Sequence, residues 1–543
     1  MEYIETLKDT IEDLYNRNNV IHPADWELRQ MAENMGTLTE FGNVNFSTSV
    51  RNRSSAVTVY IGSEKVQQES ISERQKAIIA NAPETIKKVN EYIKTAPLVC
   101  VEQFTGHNEL FNPHCRLYVS MHRKDCIRIP FMWSNTLFQG KRSEGHLPAL
   151  DIIYVPEWQE KDRQILVIPE HGITYVLGTD YFGEAKKANL RMAMWAAKQE
   201  GMLGLHAGSK ILKAKDKDGS LKKQSMIIFG LSATGKTTHA CHDHGLTGEG
   251  EGVEIVQDDV IFWRKDGSAL GSERGFFIKT DGLDPETQPL LYNAATKRKA
   301  VFENVLVDYQ GNVGFNDCTL SGNGRGIIQL SDLAPYASDD INIPPVDEVD
   351  GLILAFITRR NTVLPIVSKL TPEQAAVAFM LGESIETSAG DPKRAGESIR
   401  VVGTNPFIIG DHGEEGNRFY DFVENNREKI ECYLLNTGGV GEIMEVDSNG
   451  RKVMKRKVTR VEIPEMASII RGIARKDIEW VADPFFNTMV PKEVEGVDMT
   501  RFDLKKFYTD EQINTFVNNL KTERRDYLSK YKTLHQEILD AQD

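Results

Sequence analysis

Apolar residues at the start of the chain recur at helical spacing. Ile4, Leu7, Ile11 and Leu14 share one face, so residues 1–35 read as helical. A Ser-, Thr- and Val-rich stretch over 45–61 reads as strand, and further strands are expected at 98–103, 116–120, 152–155 and 165–168. Residues 185–199, rich in Ala, Met and Lys, read as a helix, and the regions around Trp133 and Trp195 read as core. Beyond Gly201 short apolar runs alternate with Asp218-Gly219, Asp266-Gly267 and Gly311-Asn312, which are hairpin signals. The apolar run 351–357 reads as a buried strand. Residues 500–543 are charged and read as solvated helices. The expected division is an α/β domain over 1–200, a second domain over 201–495 and a helical tail over 496–543.

Composition narrows the class. A chain of 543 residues can bury a large core without disulfides or zinc. Its charge, 65 − 79 = −14, argues against a nucleic-acid binder but not against an anionic substrate held in a local field. No apolar run approaches the ~18 residues of a membrane span, and the acidic start lacks a signal-peptide core. The six cysteines form no CxxC pair. The cytoplasm is therefore the expected compartment, with no membrane and no nucleic-acid partner. Oligomeric state is not legible.

The chemistry concentrates after residues 225–229, a short apolar run. Gly230, Leu231, Ser232, Ala233, Thr234, Gly235, Lys236, Thr237 and Thr238 follow in the pattern GxxxxGK[ST]. Glycines there let backbone N–H groups face phosphate oxygens, Lys236 supplies charge, and the Thr237 hydroxyl suits Mg²⁺. The apolar run from Gly252 ends in Asp258 and Asp259, a pair suited to hard cations. Only 23 residues separate Lys236 from Asp259, so the helix after the loop must be short. Taken alone, Lys186 and Lys187 read as a solvated helix face, Arg359 and Arg360 as a surface pair, and His239, Cys241, His242 and His244 as polar helix positions rather than a zinc site.

In this order these residues resemble ATP-dependent phosphoenolpyruvate carboxykinases. The loop and acidic pair are joined by the segment from Tyr181 to Lys187, by Gly204-Leu205-His206, by the segment 363–371, and by Asn436-Thr437-Gly438-Gly439. The resemblance implies a two-domain carboxykinase-like α/β fold with a P-loop in a mixed-sheet second domain. It implies conversion of oxaloacetate and ATP to phosphoenolpyruvate, CO₂ and ADP. Lys187, His206 and Asp259 would hold Mn²⁺, Thr237 would hold Mg²⁺, and Asp258 and Lys236 would serve catalysis. Tyr181 would lie beside the substrate, Arg325 on the transferred phosphoryl group, and Arg460 on the nucleotide. Arg53, or Arg51 beside it, would hold the substrate carboxylate. Ala233 replaces a usual glycine, Gln288 stands where a nucleotide-side carboxylate is expected, and Met466 where a threonine is expected. The segment 400–407 keeps Pro406 and Phe407 but not the rest of the family's lid text. The donor therefore stays open between ATP, GTP and pyrophosphate. Two other readings remain beside the carboxykinase: a kinase of this fold acting on another small-molecule acceptor, and a nucleotide-binding regulator without catalysis.

Overall fold

The computed structural model describes residues 6–51, 54–68, 70–140, 149–159, 163–231, 234–385, 397–446 and 452–542. Two compact units divide the chain. One holds Met1–Gly204, Leu270–Ala337 and Phe407–Asp411, the other Leu205–Ala269, Ser338–Pro406 and His412–Asp543. The first break falls at Gly204, but the chain then crosses between units repeatedly. The units are therefore not the consecutive stretches 1–200, 201–495 and 496–543.

In the first unit, β-rich apolar runs build a seven-stranded sheet. Its order is Val20–Ile21, Leu98–Phe104, His114–Ser120, Leu150–Val155, Ile173–Leu177, Gln164–Ile168 and Thr58–Tyr60. The four strands expected between 98 and 168 are all present. The helical reading of 1–35 is corrected: helices Leu7–Tyr15 and Asp25–Glu33 flank Val20–Ile21, which pairs in parallel with Leu98–Val99. Leu7, Ile11 and Leu14 are buried, as their spacing implies. The single strand expected over 45–61 is two short ones, Val44–Phe46 and Thr58–Tyr60, in different sheets. Val44–Phe46 belongs to a five-stranded sheet that also contains Gly275–Lys279, Arg325–Gln329 and Val301–Glu303. The helix Phe182–Gln199 is buried along most of its length.

The second unit is built on a mixed eight-stranded sheet. The hairpin Ala207–Lys215 and Leu221–Gly230 turns at Asp218-Gly219, with Ala207 opposite Phe229 and Lys215 opposite Leu221. Gly252–Asp258 lies antiparallel on one side of it, and Gly351–Thr358 runs parallel to Leu221–Gly230 on the other. Every residue of Gly351–Thr358 is buried, which explains its unbroken apolar text. The solvated reading of 500–543 is corrected: the helix Asp510–Leu528 buries Ile513, Val517 and Leu520 against Val363, Leu364 and Phe486. Among the described residues no helix is long and apolar enough to cross a membrane.

Candidate active site

In the second unit the site grows from the end of Leu221–Gly230. Gly230 is opposite Ile357 in the parallel register. A Cβ on Gly230 would meet Thr234 Oγ1 at 2.7 Å, so a larger residue would disturb the turn. Gly235 takes φ +104°, open to glycine at little cost, and the helix Lys236–Ala240 starts directly after it. Thr234 Oγ1 donates to Leu231 O at 2.7 Å, and Thr437 Oγ1 donates to Thr234 O at 2.7 Å. That second bond ties the loop to the segment Asn436–Gly439. Gly439 is in turn the antiparallel register partner of the exposed Arg460. Ser232 and Ala233 lie outside the described residues.

The acidic pair meets the loop lysine. Lys236 Nζ is 3.2 Å from Asp259 Oδ1 and 3.5 Å from Asp258 Oδ1, and Thr237 Oγ1 donates to Asp258 Oδ2 at 2.8 Å. His206 Nε2 lies 3.1 Å from the same Asp259 Oδ1. The strand Gly252–Asp258 makes this possible because it pairs beside Ala207–Lys215, with Gly208 opposite Asp258. Thus His206, Lys236, Thr237, Asp258 and Asp259 gather in one place. Thr238 continues the helix, and Met466 is buried in the helix Ile463–Arg475.

The first unit carries the remaining residues. Tyr181 is buried and precedes the helix Phe182–Gln199. Asn323 joins three residues of interest: its Nδ2 lies 3.4 Å from Tyr181 Oη and donates to Arg51 O at 2.6 Å, and its Oδ1 accepts from Arg325 Nε at 3.0 Å. Sequence reasoning passed over Asn323, although it sits between Gly322 and Gly324, a spacing that permits such a turn. Arg325 stacks over the Phe277 ring at 5.6 Å. Arg53 lies outside the described residues, and Arg51 Nη1 donates to Leu320 O. Lys187 is half-buried with Nζ 4.9 Å from the centre of the Phe407 ring. Gln288 Nε2 donates to Gly282 O at 2.9 Å.

Lys186 is no solvated residue: it is buried with Glu273, Nζ to Oε2 at 2.7 Å. Arg360 is buried on Glu383 at 3.0 Å rather than on the surface. His239, Cys241 and His244 are buried, not polar positions on an exposed helix face.

An imidazole and a carboxylate oxygen are donors that suit Mn²⁺, and the Thr237 hydroxyl with Asp258 is an all-oxygen set that suits Mg²⁺. The contacts of Lys236 with both carboxylates also show the local field: two acidic groups already hold a cationic one. Among the described residues no cluster of three His, Cys, Asp or Glu has metal-binding geometry.

The phosphoenolpyruvate carboxykinase family matches residues 18–500. Phosphoenolpyruvate carboxykinase (ATP) of Aeropyrum pernix is 30% identical over 388 residues, covering 71% of this chain and 72% of that one. The enzyme of the same name from Rhizobium rhizogenes is 29% identical over 391 residues, covering 70% and 67%. One from Rhodopseudomonas palustris is 27% identical over 379 residues, covering 68% and 64%. The glycine loop, the acidic pair and the histidine fall inside the matched region, and the chain belongs to the ATP-dependent phosphoenolpyruvate carboxykinase family.

Proposed function

We propose that the protein converts oxaloacetate and ATP to phosphoenolpyruvate, CO₂ and ADP. Family membership supports this reading, and one observation carries it: His206 and Lys236 meet on a single Asp259 oxygen at 3.1 and 3.2 Å, directly beside the glycine loop. We read the two units as the domains of the carboxykinase fold, the second bearing the P-loop. The cytoplasm is its proposed compartment.

The loop from Gly230 to Thr238 binds the polyphosphate through backbone N–H groups, and Lys236 moves its charge from the carboxylates to the phosphate oxygens. His206, Asp259 and Lys187 would hold Mn²⁺, while Thr237 and Asp258 would hold Mg²⁺. When bound, these ions supply Lewis-acid stabilisation of developing negative charge. A lysine ligand must be neutral, and a neighbouring positive charge favours that form. Arg51 or Arg53 holds the substrate carboxylate and Tyr181 lies along the substrate. Loss of CO₂ leaves an enolate oxygen that attacks the γ-phosphorus, and Arg325 balances the charge on the transferred group. Asn323 orients Arg325 by accepting from its Nε. Arg460 contacts the nucleotide, and Gln288 is a second proposed nucleotide-binding residue.

The test supplies protein with Mn²⁺, Mg²⁺, oxaloacetate and ATP, GTP or pyrophosphate, and follows phosphoenolpyruvate. The expected result is product with ATP and a fall in kcat/KM of at least ~10²–10³ in Lys236→Ala and Asp259→Asn, the size of losing one charge-stabilising group. Nucleotide binding without phosphoenolpyruvate would overturn the proposal. Turnover on another acceptor would then identify a kinase, and none on any acceptor a regulator.

A further inference from the structure

The helix after the glycine loop, Lys236–Ala240, is five residues long. The last four carbonyls of any helix lack intrahelical donors, so a helix this short cannot satisfy its own end. A buried side chain from the strand beneath does so. Lys210, in the strand Ala207–Lys215, is fully buried, and its Nζ donates to His239 O at 3.0 Å and to His242 O. The same Nζ lies 3.1 Å from His244 Nε2.

The surroundings are shaped around this contact. At Gly208 a Cβ would meet Ala240 Cβ at 2.9 Å, so its absence lets strand and helix close up. The His239 and His244 rings stack with centroids 5.9 Å apart, and His244 N donates to His242 Nδ1 at 2.8 Å. Facing Lys210 from the neighbouring strands are its register partners Met226 and Ile255, both apolar. From the helix Ile463–Arg475, Arg471 Nη1 donates to His244 O at 3.3 Å. Cys241 and Asp243 are the remaining titratable neighbours.

Taking the glycine loop as the nucleotide site proposed above, we propose that Lys210 is a positioning residue for it. By gripping the end of the loop helix, Lys210 fixes where Lys236 and Thr237 stand at its start. The grip does not depend on one protonation state. As an ammonium, Lys210 donates to two carbonyls and to the His244 ring; as an amine, it keeps both carbonyls and accepts from His244 Nε2–H. Burial pushes Lys210 down to about 7, and the arrangement tolerates the change. The crowd of histidines that resembles a zinc site in the sequence is instead the lining of this lysine.

The test is calorimetric titration of Mg-ATP into wild type, Lys210→Met and Lys210→Gln, with KM for oxaloacetate measured alongside. Lys210→Met is expected to weaken Mg-ATP binding roughly tenfold, as lost hydrogen bonds from a charged group imply. KM for oxaloacetate should move less than about twofold. Lys210→Gln, which keeps an NH₂ donor, should recover part of the loss. If Lys210→Met does not fold, His244→Ala removes only the third partner and should weaken Mg-ATP binding by about threefold. Unchanged Mg-ATP affinity in a folded Lys210→Met or in His244→Ala overturns the proposal, as does an equal loss for both substrates. A wild type that fails to bind Mg-ATP would instead overturn the loop assignment on which it rests.

Discussion

A single oxygen of Asp259 meets a lysine ammonium and an imidazole at 3.2 and 3.1 Å. Asp259 also takes φ +153°, a value that side chains rarely adopt, at the residue that carries this contact. Another buried carboxyl, in the first unit, has a separate consequence. Glu303 is 0% exposed, its Oε1 accepts from Phe182 N at 3.1 Å, and it is the antiparallel register partner of Arg325. Burial pushes it up to about 7, against the opposing pull of Arg128 and of the Phe182 N–H. The folded protein therefore binds the Glu303 proton more tightly than the unfolded chain does. Its contribution is complete below 4.5 and is lost as pH rises through about 7. Relative to Glu303→Gln, the wild type should lose about 3 kcal/mol of stability over that window. Urea titrations of both proteins at several pH values measure this, and parallel stability curves would refute it. Nothing in the text around Glu303 announces it, because burial comes from strands distant in the chain. The turn from Gly230 into the helix Lys236–Ala240 was legible because it is local: a few consecutive residues carry its pattern.

Among the elements, the short loop helix was foreseen from the spacing of Lys236 and Asp259, but its supporting lysine was not. Lys210 sits in an ordinary strand text, and only the hairpin register places it under His239. The C-terminal helix was misread for the opposite reason. Its charges are conspicuous, while the cluster that buries Ile513 and Val517 lies far off in sequence. This helix, Asp510–Leu528, begins beyond the family match at residue 500. Its Arg524 pairs with Glu383, which also takes Arg360 at 3.0 Å and Arg400 at 3.6 Å. Burial alone would raise the Glu383 carboxyl, but the charges of Arg524, Arg360 and Arg400 outweigh it and hold it well below the usual carboxylate range. Arg360 then reaches the segment Asn436–Gly439: its backbone N donates to Asn436 Oδ1 at 2.9 Å and its carbonyl accepts from Gly439 N at 2.9 Å. Arg524→Ala leaves Glu383 with Arg360 and Arg400, so it should cost about 1.5–3 kcal/mol in denaturant unfolding, the size of one hydrogen bond between charged groups. A change below about 1 kcal/mol would show the helix to be merely attached.

For the molecule as a whole, an acidic net charge coexists with local groups of cationic side chains. Lys236, Arg460 and Arg360 stand near the loop and its neighbouring turn, and Arg325 with Arg51 near Tyr181, within a chain of charge −14. The mixed α/β architecture was readable from strand texts and turn signals. The interleaving of the units was not, since each crossing is set by packing rather than by local composition. The central proposal is that Lys187, His206 and Asp259 would together hold one transition-metal ion. Electron paramagnetic resonance of Mn²⁺ titrated into wild type, Lys187→Met, His206→Leu and Asp259→Asn tests it directly. The account predicts one tight site in the wild type, weakened at least ~10-fold by each substitution. Undiminished Mn²⁺ affinity in Lys187→Met would contradict it, even if the other two variants lost the ion.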